Sequence, residues 1–299
     1  MNNEFFTTFK AWFEDVTDEQ YHANKERLSA SGMKTLKRSP LHFISKVEKT
    51  TDAMVFGSAY HTYILQPEEF EERYYVLNET EIMNTLAEKY KAPRSTNDYK
   101  AWLADEYIKA GTRIVIDEQM MMRMAEMKRV LMSDFYIRSL LTNGEAEKAI
   151  YFDFTTANGV VGKGKIKPDY LKRKKRLIID LKTCVDASDN AFSRHASEMD
   201  YQIQGALYSD VIGQMEGEPY EFIFIAQEKD TPYATNVFKA SEQLKAVGRY
   251  EYEMLIGLHD SCKKRDRWPG YKCFCPNKYG INELDIPPYK VKSLDYFEY

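Results

Sequence analysis

Two segments near the middle of the chain each read as a strand and each deliver a carboxylate. They are Gly162-Lys-Gly-Lys-Ile-Lys-Pro-Asp169-Tyr170 and Arg176-Leu-Ile-Ile-Asp180-Leu-Lys182. Ile178 and Ile179 make Leu177–Leu181 an apolar run with β-branched residues, which suits a buried strand. With the intervening turn centred on Lys174-Lys175, facing residues sum to a constant and Asp169 falls opposite Asp180. Directly opposed Cβ atoms stand about 4.5–5.5 Å apart, and like charges there repel. A divalent cation offsets that cost, because hard cations such as Mg²⁺ take carboxylate oxygens. Asp180 and Lys182 are two apart and share a face of the strand. Leu181 turns to the apolar layer and leaves its carbonyl as a further ligand. Lys182 is then placed beside the metal to orient or deprotonate a water, while one or two metals activate that water and stabilise the leaving oxygen. The set suits metal-assisted phosphodiester cleavage. An isolated Asp-x-Lys is a short motif with many chance matches; the apolar strand carrying this one gives it weight, since buried charges need a reason.

The 299 residues, 43% of them hydrophobic, are ample for a core. No Ser/Gly/Pro-rich linker divides them. We therefore expect one domain over 1–299: a helical part over 1–145, an α/β core over 146–270 and an irregular tail over 271–299. No apolar run approaches the ~20 residues of a membrane span, and no signal peptide is visible at Met1-Asn-Asn-Glu4; a cytoplasmic location is the default. The net charge of −4 is not that of a protein coating DNA nonspecifically. Charge distribution matters more than the sum. Eight residues from Lys163 to Arg176 are basic, and with the Lys263–Arg267 run they are candidates to line a groove. Cys184, Cys262, Cys273 and Cys275 match neither a zinc spacing nor an iron–sulfur spacing, so reduced thiols are expected.

The pattern predicts helix over 4–28, a short helix from an N-cap at Ser31 through Leu36 that ends before Pro40, and a helix over Phe56–Gln66 stopped by Pro67. Further helices are expected over Glu81–Lys91, Asp98–Ala110 and Asp117–Leu141, the last with a Met-rich stretch suited to packing. Strands are expected over Ala149–Phe154 and Val160–Tyr170, joined by an Asn158-Gly159 turn, and over Arg176–Lys182, Phe222–Gln227 and Ala234–Lys239. Tyr201, Gln204 and Tyr208 share one face of a helix over Glu198–Ile212. A final helix over Ser241–Lys264 turns Leu244, Val247, Met254, Leu255 and Leu258 inward.

Gly162–Lys182 resembles the PD-(D/E)xK nuclease superfamily, with Pro168-Asp169 and Asp180-Leu181-Lys182 as its signature. Tyr201–Tyr208 resembles the Gln-x-x-x-Tyr motif of the RecB-type branch, carried by Gln204 and Tyr208. Gly57–Pro67 resembles the helix bearing the metal-binding His of that branch. Ser29-Ala-Ser31-Gly-Met33 through Arg38-Ser-Pro40 is similar to the opening of the RecE-like (exodeoxyribonuclease VIII C-terminal) group, often phage-encoded. The resemblance covers roughly residues 25 to 270.

This resemblance implies a restriction-endonuclease-like α/β core, a mixed central sheet flanked by helices, with a helical N-terminal elaboration. It implies metal ligation by His61, Asp169, Asp180 and the Leu181 carbonyl, catalysis by Lys182, support from Gln204 and Tyr208, and an accessory acid in Glu147. The cofactor implied is Mg²⁺, with Mn²⁺ able to take its place. The iron–sulfur cluster of some RecB-type relatives is not expected from these cysteines. The activity implied is 5′→3′ exonucleolysis of double-stranded DNA ends, leaving 3′ single strands for an annealing protein in a phage-type recombination system. Relatives form closed rings, which implies a homo-oligomer. Ser31, Arg38 and Lys165 are candidate phosphate contacts, and Tyr60 or Tyr170 a platform for an unpaired terminal base. Three alternatives remain. A single-strand nuclease or endonuclease of the RecB or Cas4 kind needs a cluster-like cysteine set. A non-catalytic DNA-end-binding module has no use for Asp169, Asp180 and Lys182 together. A helical adaptor leaves the basic hairpin and opposed carboxylates unexplained.

Overall fold

The computed structural model describes residues 5–45, 51–271 and 283–286. The chain opens with strand β1 (Phe6–Glu14) and helices α1 (Asp18–Ala23), α2 (Ala30–Arg38) and α3 (Pro40–Ile44). Helices α4 (Asp52–Leu65) and α5 (Phe70–Arg73), strand β2 (Tyr74–Leu77), helices α6 (Thr80–Ala87) and α7 (Asn97–Ala110), strand β3 (Ile114–Asp117) and helices α8 (Glu118–Ser133) and α9 (Phe135–Leu140) follow. Next come strands β4 (Glu145–Ala146), β5 (Ala149–Thr156), β6 (Val161–Ile166), β7 (Tyr170–Lys172) and β8 (Leu177–Cys184). Helices α10 (Asp189–Glu198) and α11 (Tyr201–Glu216), strands β9 (Glu221–Glu228) and β10 (Thr235–Lys239) and helix α12 (Glu242–Arg265) complete the order.

The central sheet runs β10-β9-β8-β7-β4 and is mixed: β8 and β9 are parallel, the other pairs antiparallel. Strands β1, β5 and β6 form a separate antiparallel sheet, and β2 pairs with β3. Helices cover both faces of the central sheet, which makes this the mixed α/β core expected from the sequence. Period-two alternation along β8 sorts its side chains between two apolar layers. Ile178 packs with Phe222, Phe224, Leu207 of α11 and Tyr252 of α12. Ile179 and Leu181 pack on the other face with Tyr60 of α4 and Met124 and Met127 of α8. Asp180 and Lys182 therefore belong to the face of Ile178, towards α11.

Several expected elements come out differently. The segment over 4–28 is not helical throughout; it holds β1 before α1. Its Phe-Thr-Thr-Phe opening favours strand, and β5 pairs with it over Phe9↔Phe154, Ala11↔Phe152 and Phe13↔Ile150. Helix α1 begins at a capping box between Thr17 and Gln20. The single strand expected over Val160–Tyr170 is two strands in two sheets: β6 pairs with β5, and β7 with β8. Pro168 stands at the break, where its missing N–H ends the ladder. The register beyond it holds: Tyr170↔Ile179 and Leu171↔Ile178 bring Asp169 level with Asp180.

The cap of α2 is Ser29, whose Oγ accepts from Gly32 N–H at 3.1 Å; Ser31 lies one residue inside the helix. The helix expected over Asp117–Leu141 breaks at Asp134, which caps α9 by accepting from Ile137 N–H. Helix α10 had no counterpart in the sequence pattern. In α12, Val247 and Met254 are 49% and 52% exposed. Gly248 turns inward instead, where a Cβ would stand 1.9 Å from the Gln202 carbonyl oxygen of α11. With Gly248 at that close approach to α11, Tyr252 and Ile256 are buried in the core.

Candidate active site

The sheet puts the inner half of the site together. Asp180 is 1% exposed. Its Oδ1 accepts from Gln204 Nε2 at 2.6 Å. Its Oδ2 stands 2.6 Å from Lys182 Nζ in an ion pair. Burial, then the neighbouring charge of Asp169, raises the Asp180 carboxyl to about 6, although Lys182 pulls the other way. Burial alone would lower Lys182, but Asp180 and Asp169 hold its ammonium above the ordinary lysine value. Tyr208 lies one turn after Gln204 on α11 and is buried. Burial and then Asp180 raise its phenol well above the usual range.

The outer half is gathered from remote segments. His61 comes from α4, Glu147 from the turn between β4 and β5, and Asp169 from the break before β7. One ligand atom from each lies within 4.8 Å of the others. His61 Nδ1 is 3.5 Å from Asp169 Oδ2. Asp169 Oδ2 also accepts from the Leu181 N–H at 2.8 Å, so Asp169 ties the two halves. A strand residue sends its N–H and carbonyl to the same edge, which directs the Leu181 carbonyl to this side. Glu147 adopts a left-handed backbone, φ 52°, and donates its N–H to the Asp169 carbonyl at 3.0 Å. Its Oε2 meets Lys167 Nζ at 2.7 Å, and Lys167 in turn contacts Asp18 of α1.

This donor set fits a divalent cation. It offers carboxylates, an imidazole nitrogen and a backbone carbonyl, and hard cations prefer such oxygen-rich sets. Asp180 lies outside that three-residue group, its oxygens taken by Gln204 and Lys182. His61, Glu147 and Asp169 are thus positioned to hold a divalent metal ion, with Asp180 beside them.

Other candidate residues are placed elsewhere. Lys165 is 4% exposed; its ammonium sits on the Tyr21 and Asn24 carbonyls, inside the protein and not facing solvent. Most of the basic hairpin is likewise engaged internally: Lys167 as above, Lys172 on the Ser139 carbonyl, Arg173 on Glu216 and Arg176 on Glu218. Lys163, Arg173, Lys174, Lys175 and Arg176 remain exposed, so the block is part internal contacts and part open surface. Ser31 and Arg38 are exposed, the first against Ser29 Oγ at 3.0 Å and the second donating to Tyr271 Oη at 3.2 Å. Tyr60 and Tyr170 are buried. The first donates to Gln227 and the second accepts from Gly144 N–H, so neither ring is free to stack on a base. Cys184 and Cys262 are buried free thiols; Cys273 and Cys275 lie outside the described residues. Sequence reasoning missed Lys167 as the partner of Glu147. It also missed Lys34 of α2, which, like Lys182, approaches the ring of Tyr201.

Residues 29–277 match the family described as "PDDEXK-like domain of unknown function (DUF3799)", and the chain belongs to that family. No curated protein matches the sequence. Among solved structures, the fold is similar to that of a protein from Eubacterium rectale described as a "putative exonuclease". The two share 17% identity over 95% of this chain and 99% of the other, with a TM-score of 0.56. A second structure, SSO0001, aligns at 16% identity over 82% of this chain and 95% of its own, with a TM-score of 0.29. The first likeness speaks to the fold and the second is too distant to argue from. Among the described residues, no helix is long and apolar enough to cross a membrane.

Proposed function

We propose that the chain is a divalent-metal-dependent deoxyribonuclease that degrades double-stranded DNA from its ends. The observation that carries this reading is the position of Asp169. It touches the His61–Glu147 pair on one side and the Asp180-Leu181-Lys182 strand on the other. Family membership supports the hydrolytic class. Mg²⁺, or Mn²⁺ in its place, would be held by His61, Glu147, Asp169, Asp180 and the Leu181 carbonyl. Such an ion supplies Lewis acidity and a water acidic enough to attack phosphorus. Lys182, held charged by its two carboxylates, donates hydrogen bonds to the phosphate or the attacking water and stabilises charge gathering on the phosphate oxygens. In that state it orients a water better than it deprotonates one. Gln204 fixes the Asp180 carboxylate, and Tyr208 is buried one turn along the same helix.

The finer reading is a 5′→3′ exonuclease that leaves 3′ single strands for an annealing protein, working as a homo-oligomeric ring in a phage-type recombination system. It rests on the sequence resemblance to RecE-like exonucleases. The test is linear duplex labelled separately at its 5′ and 3′ ends, incubated with Mg²⁺, with Mn²⁺, with EDTA, and with Lys182→Ala protein. The expected result is metal-dependent release of the 5′ label as mononucleotides, lost in Lys182→Ala. Release from the 3′ label first would overturn the polarity. End binding without cleavage would leave a binding module in place of an enzyme.

A further inference from the structure

Lys34 and Lys37 are three residues apart on α2 and share a face. Lys37 is committed: its ammonium lies 2.6 Å from Asp200 Oδ1 and 2.7 Å from Glu251 Oε1. That double contact pins α2 to the start of α11 and to α12. It also fixes where Lys34 points. The Lys34 ammonium lies 4.9 Å from the centroid of the Tyr201 ring, and the Lys182 ammonium lies 5.2 Å from the same ring.

The two lysines differ in what balances their charge. Lys182 has Asp180. Among the described residues, Lys34 forms no ion pair with a carboxylate, and its ammonium lies over the Tyr201 face. It is half-buried, and burial, then repulsion from Lys182, lowers its ammonium to about 8, with Asp180 and Asp200 pulling back. A cation–π contact offsets part of the cost of such a group, but a half-buried ammonium beside another lysine is stabilised far more by an anion. Among the described residues, the carboxylates nearby are engaged by Lys182, Lys37 and Gln204, which leaves Lys34 open to an anion from outside.

We propose that Lys34 is a second substrate-touching cation: it binds the phosphodiester being cleaved from the Tyr201 side, opposite His61 and Glu147. The proposal rests on the nuclease reading and deepens it. In hydrolysis, the water oxygen bonds to phosphorus, the bond from phosphorus to the leaving oxygen breaks, and the water's proton ends on the leaving group. Negative charge gathers meanwhile on the two non-bridging oxygens. Lys182 and Lys34 together flank that charge, with the Tyr201 ring as the surface both ammonium groups approach. The pinning of α2 by Lys37 keeps this geometry set before substrate arrives, which is what makes a fixed charge effective.

The experiment uses the full chain and three forms: wild type, Lys34→Met, which keeps the packing on Tyr201 without the charge, and Lys34→Arg, which keeps the charge. Single-turnover cleavage of linear duplex is measured with Mg²⁺ and with Mn²⁺. Duplex binding is measured without cleavage, in EDTA, across a salt series, and thermal unfolding checks the fold. Lys34→Met should cleave about 10- to 100-fold more slowly, the scale of one lost charge-assisted contact. Lys34→Arg should recover most of the rate. The slope of log binding constant against log salt should fall by about 0.9 in Lys34→Met, one phosphate contact fewer. Wild-type cleavage and an unchanged salt slope in Lys34→Met would overturn the proposal while leaving the nuclease reading intact. An unchanged salt slope together with lowered thermal stability would make Lys34 a structural staple between α2 and α11, and would also overturn it. Wild-type protein that cleaves no duplex with either metal would remove the nuclease reading itself, and this proposal with it.

Discussion

The inner and outer halves of the site differ in how they are built. Asp180, Lys182 and Gln204 come from one strand and the helix seated against it, and their charges and hydrogen bonds largely close among themselves. His61, Glu147 and Asp169 come from three separate segments, and the nearest cations to them are His61 itself, if protonated, and Lys167 at Glu147. The inner half is assembled by folding. The outer half is gathered by folding into a donor set that would accept a cation. The carboxylates are thus set in two ways: Asp180 is paired with the Lys182 ammonium inside the protein, and those near His61 form a donor set whose one lysine partner is Lys167 at Glu147.

The sharpest way to break that comparison is at Asp180. Replacing it with Ala removes a proposed metal ligand and strands the Lys182 ammonium without its carboxylate. Cleavage should fall by about 10³-fold or more, the scale of losing a group that acts with its neighbours in the transition state. Stability should fall by about 3–5 kcal/mol, because breaking a buried pair leaves an uncompensated charge. Adding Lys182→Met to Asp180→Ala should restore most of that stability and none of the activity. Denaturant titration alongside cleavage assays checks both. Equal stability of the single and double variants would mean that Asp180 and Lys182 do not depend on one another.

The outer half should respond in the opposite manner. His61→Ala, Glu147→Ala or Asp169→Asn should raise the Mg²⁺ concentration needed for cleavage about 10- to 100-fold. His61→Ala should change metal-free stability least, whereas Glu147→Ala also takes a carboxylate from the largely buried Lys167 ammonium and should cost stability without metal. Calorimetric titration of Mg²⁺ gives the affinity directly. Mg²⁺ at about 100 times its dissociation constant should also stabilise wild type by about 2.7 kcal/mol, and this increment should shrink in the three variants. A full stabilising increment in Glu147→Ala would place the metal elsewhere.

The inner half was the more legible of the two in the sequence. Asp169 and Asp180 face one another because the register of a hairpin follows from its turn, and period two then assigns every neighbour. Gln204 and Tyr208 followed from helical spacing and motif likeness. Glu147 was legible only as an acid near a strand. What brings it to Asp169 is a left-handed residue and a backbone hydrogen bond, which spacing does not encode. Strand β1 was missed because its partner β5 lies far along the chain, and short aromatic and threonine runs show their period only once paired. Lys165 looked like a DNA contact because lysine runs usually face solvent. Its burial depends on the Tyr21 and Asn24 carbonyls, which α1 brings from far away in sequence. Lys34 carries no signal in its own segment; its meaning comes from where Lys37 docks the helix.

The smallest effect is a pH dependence confined to the inner half. Burial, then Asp169, raises the folded Asp180 to about 6, above the ordinary aspartate value of about 3.9 in an unfolded chain. The folded state therefore binds this proton more tightly than the unfolded state. Its stabilising contribution is fully present below the unfolded value and is lost as pH rises through the folded one. In EDTA, wild type should lose thermal stability relative to Asp180→Asn between about pH 4 and pH 6, because the amide cannot titrate. Mg²⁺ should flatten the difference, since a bound cation favours the ionised carboxylate and removes the upward shift. Parallel melting curves of the two proteins across that range in EDTA would contradict the assignment. They would mean that Lys182 outweighs burial and Asp169, and that the inner half is a closed ion pair at every pH in the window.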